Sequence, residues 1–179
     1  DVETDDNVLR QTTARLPWLL IGMIGGIGNS MILGNFDSTF AAHPEMALYI
    51  PLIGGTGGNV GTQSSALVVQ GLANSSLDAK NTFKQVSKEA VVALINATII
   101  SLLVYTYNFI RFGATATVTY SVSISLFSVV MFASIFGTLV PMTLEKMKID
   151  PAIATGPFIA ITNDIIGMMM YMGITVLLS

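Results

Sequence analysis

An aspartate in the middle of an apolar segment is the residue of this sequence with the clearest capacity for chemistry. Asp164 lies in the run 152–178, which contains no other charged residue. A carboxylate at the centre of a membrane-spanning helix costs about 2.5–3.5 kcal/mol, so intramembrane acids are rare and are functional by default. We therefore predict that Asp164 faces a water-filled path and binds a cation there. A protonated structural aspartate and a proton relay are the alternatives.

Small residues share a helical stripe with Asp164. Ala160, Asp164, Gly167 and Tyr171 are spaced i, i+4, i+7 and i+11, so one face of a helix would carry all four. The alanine and the glycine leave room beside the carboxylate. Pro157 precedes them, and a proline inside a helix leaves the carbonyl four residues back without its hydrogen bond. At membrane depth, such an unpaired carbonyl is tolerated where it lines a water-filled cavity.

A second segment, 47–73, combines glycines with amides and hydroxyls. Six of the eleven residues 51–61 are Gly or Pro, a density that predicts a broken or widened helix. Thr56, Asn59, Gln63 and Gln70 form a polar stripe, which must face protein or water rather than lipid. Small-residue helix packing and interhelical hydrogen bonds remain the alternatives. The predicted pore lining comprises Thr56, Gly58, Asn59, Gln63, Asn163 and Gly167.

The composition indicates a polytopic membrane protein. The chain has 179 residues, of which 52% are hydrophobic and 11% are charged, whereas a soluble domain carries about 25% charged residues. It has no cysteine and one histidine, His43, which excludes a thiolate metal site, a cysteine nucleophile and a multi-histidine zinc site in one chain. A net charge of −3 gives no indication of the basic surface that binds nucleic acid. We expect no enzyme activity and no cofactor, because an intramembrane aspartyl protease would need a second acid.

Five apolar segments are each long enough to cross about 30 Å of hydrocarbon. The expected fold class is therefore all-α, with five transmembrane helices per chain: 17–36, 47–73, 89–110, 117–144 and 152–178. Arg111 lies on one side of this arrangement, and the other side carries seven basic residues, Arg10, Arg15, Lys80, Lys84, Lys88, Lys146 and Lys148.

This asymmetry predicts a multi-pass protein of the plasma membrane with a cytoplasmic N-terminus and an external C-terminus. Residues 1–15 are expected to be the cytoplasmic end of a connecting helix. Residues 16–179 are expected to form the five-helix pore domain, with upstream soluble domains outside this chain.

One carboxylate per chain is a poor site for a divalent ion, so we predict a homodimer. A twofold axis would bring two copies of Asp164 together. Carboxylates with neutral amides and backbone carbonyls form an all-oxygen environment, which suits Mg²⁺, Ca²⁺ or Mn²⁺ rather than zinc or copper. Mg²⁺ dehydrates reluctantly and keeps several waters beside one or two carboxylates.

Two motifs carry a family resemblance that covers nearly the whole chain. The run PLIGGTGGNVGTQ at 51–63 is followed by DPA at 150–152 and AITNDIIG at 160–167. In order and spacing, these motifs resemble the transmembrane domain of the MgtE magnesium channel family. One departure is Gly156, which stands before Pro157 where the family often has asparagine.

The resemblance implies a homodimeric, Mg²⁺-selective channel whose pore is lined by the second and fifth spans of both chains. It implies that Asp164 holds hydrated Mg²⁺, that the backbone carbonyl of Ala160 contributes to the metal site, and that Asn59 lines the pore. It also implies cytoplasmic regulatory domains, including paired CBS modules, in the full-length protein. The alternative functions are a coupled carrier of the Na⁺/Mg²⁺ exchange type, a broad transporter of Mg²⁺, Mn²⁺ and Co²⁺, and a non-conducting anchor.

Overall fold

Residues 3–179 form an all-helical structure in the computed structural model, so the predicted fold class is confirmed. Residues 1 and 2 of the predicted connecting segment lie outside the described part of the chain. No strand occurs within residues 3–179. The α-helices are α1 (Val8–Gly34), α2 (Asp37–Ala42), α3 (Ile50–Ala73), α4 (Thr82–Phe112), α5 (Thr117–Lys146) and α6 (Pro157–Leu178). Short 3-10 turns occupy Pro44–Tyr49, Ala79–Asn81 and Pro151–Thr155.

The five long helices correspond in order to the five predicted segments. In the described chain, four helical segments are long and apolar enough to cross a membrane, namely Val8–Gly34, Ala79–Phe112, Thr117–Lys146 and Pro157–Leu178. The fifth long helix, α3, has 24 residues and a length of about 36 Å. Its apolar residues are interspersed with glycines, amides and hydroxyls, and it is not among those four segments.

The first helix begins well before the predicted span. Asn7 caps its N-terminus, because the side-chain Oδ1 accepts a hydrogen bond of 2.8 Å from the backbone N–H of Arg10. The helix then continues through Pro17 as far as Gly34. One continuous helix therefore contains the end of the predicted connecting segment and the predicted first span.

The last helix begins later than predicted, which corrects the role of Pro157. The Asp150 side chain accepts a hydrogen bond of 3.0 Å from the N–H of Ala152 and so caps the 3-10 turn Pro151–Thr155. Pro157 then occupies the first turn of α6, where its missing N–H costs no hydrogen bond. The prediction that Pro157 interrupts a helix and frees a carbonyl is therefore wrong.

The glycine-rich helix α3 is unbroken, contrary to the prediction of a broken or widened helix. Its glycines instead allow close packing. A Cβ added to Gly137 of α5 would lie 2.6 Å from the carbonyl oxygen of Gly61, so these two backbones meet without side chains between them. Neighbouring elements supply enough packing to keep the helix regular, and tertiary contact overrides the low helix propensity of glycine.

Three helices build the core, and two lie outside it. Helices α3, α5 and α6 pack against one another, while α4 packs on α5 and α1 packs mainly on α6. The Tyr171 hydroxyl donates a hydrogen bond of 2.8 Å to the carbonyl oxygen of Met46, which ties α6 to the turn before α3. The buried cluster at this end includes Met46, Ile53, Leu126, Val129, Met168 and Tyr171.

Candidate ion site

An open groove of about 360 Å³ lies between α3 and α6 and contains the predicted ion-binding aspartate. Both helices contribute small residues, so their backbones come within reach of the groove. Three polar side chains stand among them, two on α3 and one on α6. The lining consists of Gly54, Gly55, Gly58, Asn59, Thr62, Ala160, Ile161 and Asp164.

Four of the predicted site residues meet in this groove. They are Gly58 and Asn59 from α3 and Ala160 and Asp164 from α6. The side chain of Asn59 is exposed and that of Asp164 is half-buried. Ala160 and Asp164 share one face of α6, because residues four apart lie on the same side of a helix.

The other four predicted pore-lining residues lie outside the groove. Gln63 is exposed and Thr56 is half-buried on other parts of the α3 surface. Gly167 is buried, and a Cβ there would lie 3.7 Å from the side chain of Val129. Asn163 is 1% exposed, and its amide donates a hydrogen bond of 3.0 Å to the Ile159 carbonyl of its own helix.

Only the first two residues of the predicted stripe on α6 line the groove. Ala160 and Asp164 face the groove, whereas Gly167 and Tyr171 are buried in the core. Ile53 of α3 and Val129 of α5 close over the stripe at Gly167, since their side chains are the nearest atoms to a Cβ built there. Helical spacing identifies a shared face, but the crossing of neighbouring helices determines how much of that face stays open.

Helices α1 and α3 both contact the Asp164 carboxylate of α6. Its Oδ2 accepts a hydrogen bond of 3.4 Å from the amide of Asn29 on α1. Its Oδ1 lies directly over Gly54 of α3, where a Cβ would collide with that oxygen. A side chain at position 54 would therefore have to displace the carboxylate from its present position. The carboxylate is thus supported from α1 on one side and from α3 on the other.

Asp164 lies nearer to one end of its helix than the sequence predicted. Because α6 begins at Pro157, the aspartate is about 10 Å from the start of the helix and about 21 Å from its end at the helical rise of 1.5 Å per residue. The carboxylate therefore sits about a third of the way along the helix, not at its midpoint.

The groove residues can together hold a hydrated cation. Within residues 3–179, no cluster of three or more His, Cys, Asp or Glu side chains could enclose a bare metal ion. One carboxylate, an amide, a hydroxyl and glycine backbone are instead oxygen-rich partners for water molecules in an ion's hydration shell.

The structure adds four lining residues that were not predicted as site residues, Gly54, Gly55, Thr62 and Ile161, and a contact to Asp164 from Asn29, which lies outside the lining. The Thr62 hydroxyl donates to the carbonyl oxygens of Gly58 and Asn59, at 2.9 and 3.0 Å, and so tightens the turn that carries the exposed amide. Asn29 is on a different helix altogether. Its four-residue spacing from Gly25 in an apolar span was a signal of helix packing, but that spacing does not identify the partner helix.

Long apolar helices around a polar groove with a single carboxylate define the chain as a polytopic helical membrane protein. The family model for MgtE, described as a divalent cation transporter, matches residues 50–174. The chain belongs to this MgtE family. The match runs from α3 into α6 and so includes both walls of the groove.

Individual relatives agree with the family assignment. The chain is 31% identical over 174 residues to the magnesium transporter MgtE of Bacillus subtilis, which covers 97% of this chain and 38% of the relative. It is 32% identical over 165 residues to the magnesium transporter MgtE of Thermus thermophilus, covering 92% of this chain and 36% of the relative. The chain therefore spans a little over a third of the length of these curated relatives.

Proposed function

We propose that this chain is the pore domain of a magnesium channel, in which two protomers bring their Asp164 carboxylates to one central ion site. Membership of the MgtE family supports transport of a divalent cation. The magnesium transporters to which the chain is similar support Mg²⁺ as that cation.

The observation that carries the proposal is the open groove with Asp164 in its wall. The groove is bounded by α3 and α6 and is open on its remaining side. A twofold-related copy facing it would close the path and double the carboxylate, and twofold dimers are the commonest symmetric assemblies. Two carboxylates then face one divalent ion, which balances the charge.

Mg²⁺ would pass largely hydrated through this path. The Asn59 amide and the Ala160 backbone carbonyl border the groove beside Asp164, and these groups hydrogen-bond to water rather than stripping it from the ion. The membrane potential drives entry, at about 4.6 kcal/mol for a divalent ion at 100 mV. No chemical step is needed, so the proposed function is transport and not catalysis.

We also propose a cytoplasmic N-terminus and an external C-terminus in the plasma membrane. The basic residues support this orientation, because seven of the eight Lys and Arg side chains fall on the side assigned to the cytoplasm. The greater length of the relatives is consistent with soluble regulatory domains of the CBS type attached to that side in the complete protein.

Electrophysiology on the full-length protein in planar bilayers tests the proposal. Mg²⁺ current is measured for the wild type and for Asp164→Asn, with and without a sodium gradient. We expect a current that needs no sodium gradient and that falls at least about tenfold in Asp164→Asn, the equivalent of roughly 1.4 kcal/mol. Asp37→Asn, which removes an acid at the start of α2 outside the groove, is the control and should conduct normally.

Three results would contradict parts of the proposal. An unchanged current in Asp164→Asn would remove the site assignment. Flux that requires the sodium gradient and shows no channel current would favour a coupled carrier of the Na⁺/Mg²⁺ exchange type. Competition by Mn²⁺ and Co²⁺ at equal potency would instead indicate a broad divalent cation transporter.

A further inference from the structure

We infer that Asn29 of α1 is a positioning residue for the Asp164 carboxylate and thereby helps to set the affinity of the ion site. The inference rests on the proposed function and adds a residue to it from a helix that contributes no lining to the groove. Position 29 also lies outside residues 50–174, where the family model matches.

A close approach of α1 to α6 brings the two side chains together. A Cβ added to Gly25 would collide with the side chain of Ile161, so glycine at this position lets α1 lie against α6. Asn29 follows Gly25 by four residues, and Asp164 follows Ile161 by three. Asn29 and Asp164 therefore each lie about one helical turn beyond the contact between Gly25 and Ile161. There the Asn29 amide donates a hydrogen bond of 3.4 Å to Asp164 Oδ2.

The chemistry of the two groups fixes the direction of the hydrogen bond. An ionised carboxylate accepts hydrogen bonds and donates none, so the NH₂ end of the Asn29 amide must face Asp164. The other end, Asn29 Oδ1, is buried and has no hydrogen-bond partner among residues 3–179. A leucine would fill the same space without burying an unpaired oxygen. The contact with the carboxylate therefore accounts for a polar residue at this position.

The hydrogen bond orients the carboxylate toward the groove. With Oδ2 held by Asn29 and Oδ1 placed over Gly54, rotation about the last side-chain bond of Asp164 is restrained from both sides. An ion that binds Asp164 then meets a preorganised oxygen and does not have to order the side chain. Loss of the amide would free this rotation and weaken ion binding without changing the helices.

Substitution of Asn29 in the full-length protein tests the inference by Mg²⁺ transport into proteoliposomes. The half-saturating Mg²⁺ concentration and the maximal rate are measured separately. We expect Asn29→Leu and Asn29→Ala to raise the half-saturating concentration about tenfold, as for loss of a hydrogen bond to a charged group. Asn29→Gln, which keeps the amide, should stay within about threefold of the wild type, a difference below 1 kcal/mol.

The control is Asn35→Leu, the same change six residues further along the chain at the end of α1. The Asn35 amide donates to the Met31 carbonyl of its own helix, so this change should leave the half-saturating concentration unaltered. A merely structural role for Asn29 would lower the amount of folded protein or the maximal rate, while the half-saturating concentration stayed constant.

The outcomes separate the inference from the proposed function. Wild-type half-saturation in both Asn29→Leu and Asn29→Ala, alongside a loss of transport in Asp164→Asn, would overturn the inference alone. Wild-type transport in Asp164→Asn would overturn the proposed function and the inference with it. An equal effect of Asn35→Leu would also overturn the inference, because it would show a general response of α1.

Discussion

At the residue scale, Gly54 links the shape of the groove to the position of the carboxylate. A Cβ at Gly54 would overlap Asp164 Oδ1, whereas a Cβ at Gly58 would meet no atom within 4 Å. Both glycines line the groove on the same helix. Their different surroundings make them a matched pair for testing the placement of the carboxylate.

We expect Gly54→Ala to displace the Asp164 carboxylate and to raise the half-saturating Mg²⁺ concentration about tenfold, as for a loss of roughly 1.4 kcal/mol in binding. Uptake of Mg²⁺ into proteoliposomes, followed with a fluorescent Mg²⁺ indicator, measures the half-saturating concentration. Gly58→Ala is the comparison, because a Cβ there meets no atom of the same chain within 4 Å, and it should raise the half-saturating concentration less than Gly54→Ala. Equal half-saturating concentrations in the two variants would contradict the close contact at Gly54.

Tyr171 shows how a residue on a predicted functional face can be structural. It shares a helical stripe with Asp164, yet it is fully buried and donates to the Met46 carbonyl at 2.8 Å. We expect Tyr171→Phe to lower the free energy of unfolding by roughly 1–3 kcal/mol, because the buried carbonyl loses its donor. Thermal unfolding in detergent measures this loss. Half-saturating Mg²⁺ should not change, and a change would place Tyr171 in the transport path.

The sequence identified those residues whose roles follow from charge and helical spacing. Asp164 was evident because an isolated acid in an apolar run is costly, and Ala160 shares its face at a spacing of four. Asn29 could not be assigned, because its contact with Asp164 depends on which helix α1 approaches. Gly167 was assigned to the pore because spacing alone does not reveal that Ile53 and Val129 cover it.

At the scale of the elements, proline and glycine acquire their roles from position and packing. Pro157 looked like a helix breaker within a long apolar run, but the Asp150 cap creates a separate 3-10 turn and places Pro157 in the first turn of α6. The glycines of α3 were expected to distort the helix. Their actual role depends on α5 and α6, whose close approach cannot be deduced from α3 alone.

The contact between α3 and α5 gives a stability prediction. A Cβ on Gly137 would lie 2.6 Å from the Gly61 carbonyl oxygen, and a backbone atom cannot rotate away. We expect Gly137→Ala to lower the free energy of unfolding by roughly 1–3 kcal/mol, the usual effect of overpacking. The thermal midpoint in detergent reports the change. Gly22→Ala on α1 would meet no atom within 4 Å and should cause no loss.

At the scale of the whole molecule, the absence of cysteine from this chain allows the proposed dimer to be tested directly. Asn59 is exposed in the groove, so two copies would face each other across the pore. We expect Asn59→Cys, in a full-length protein with no other cysteine, to form a covalent dimer with a short bifunctional thiol reagent in native membranes. Gel electrophoresis under denaturing conditions detects the product.

Leu103→Cys provides the comparison, because Leu103 is 67% exposed on α4, away from the groove helices. It should react with a monofunctional thiol reagent but give little covalent dimer. Cross-linking of Leu103→Cys as efficient as that of Asn59→Cys, or a conducting protein that stays monomeric, would contradict an assembly built around the groove.

The attachment of α1 has a consequence for the order in which the protein loses its structure. None of the residues of α1 is fully buried, and its packing is concentrated on α6. It is therefore the long helix with the least packing against the rest of the chain. Regions with little buried contact open locally at low free energy. Detachment of α1 would release Asp164 from Asn29 while the α3, α5 and α6 core stayed intact, so ion affinity would fall before the bundle unfolds.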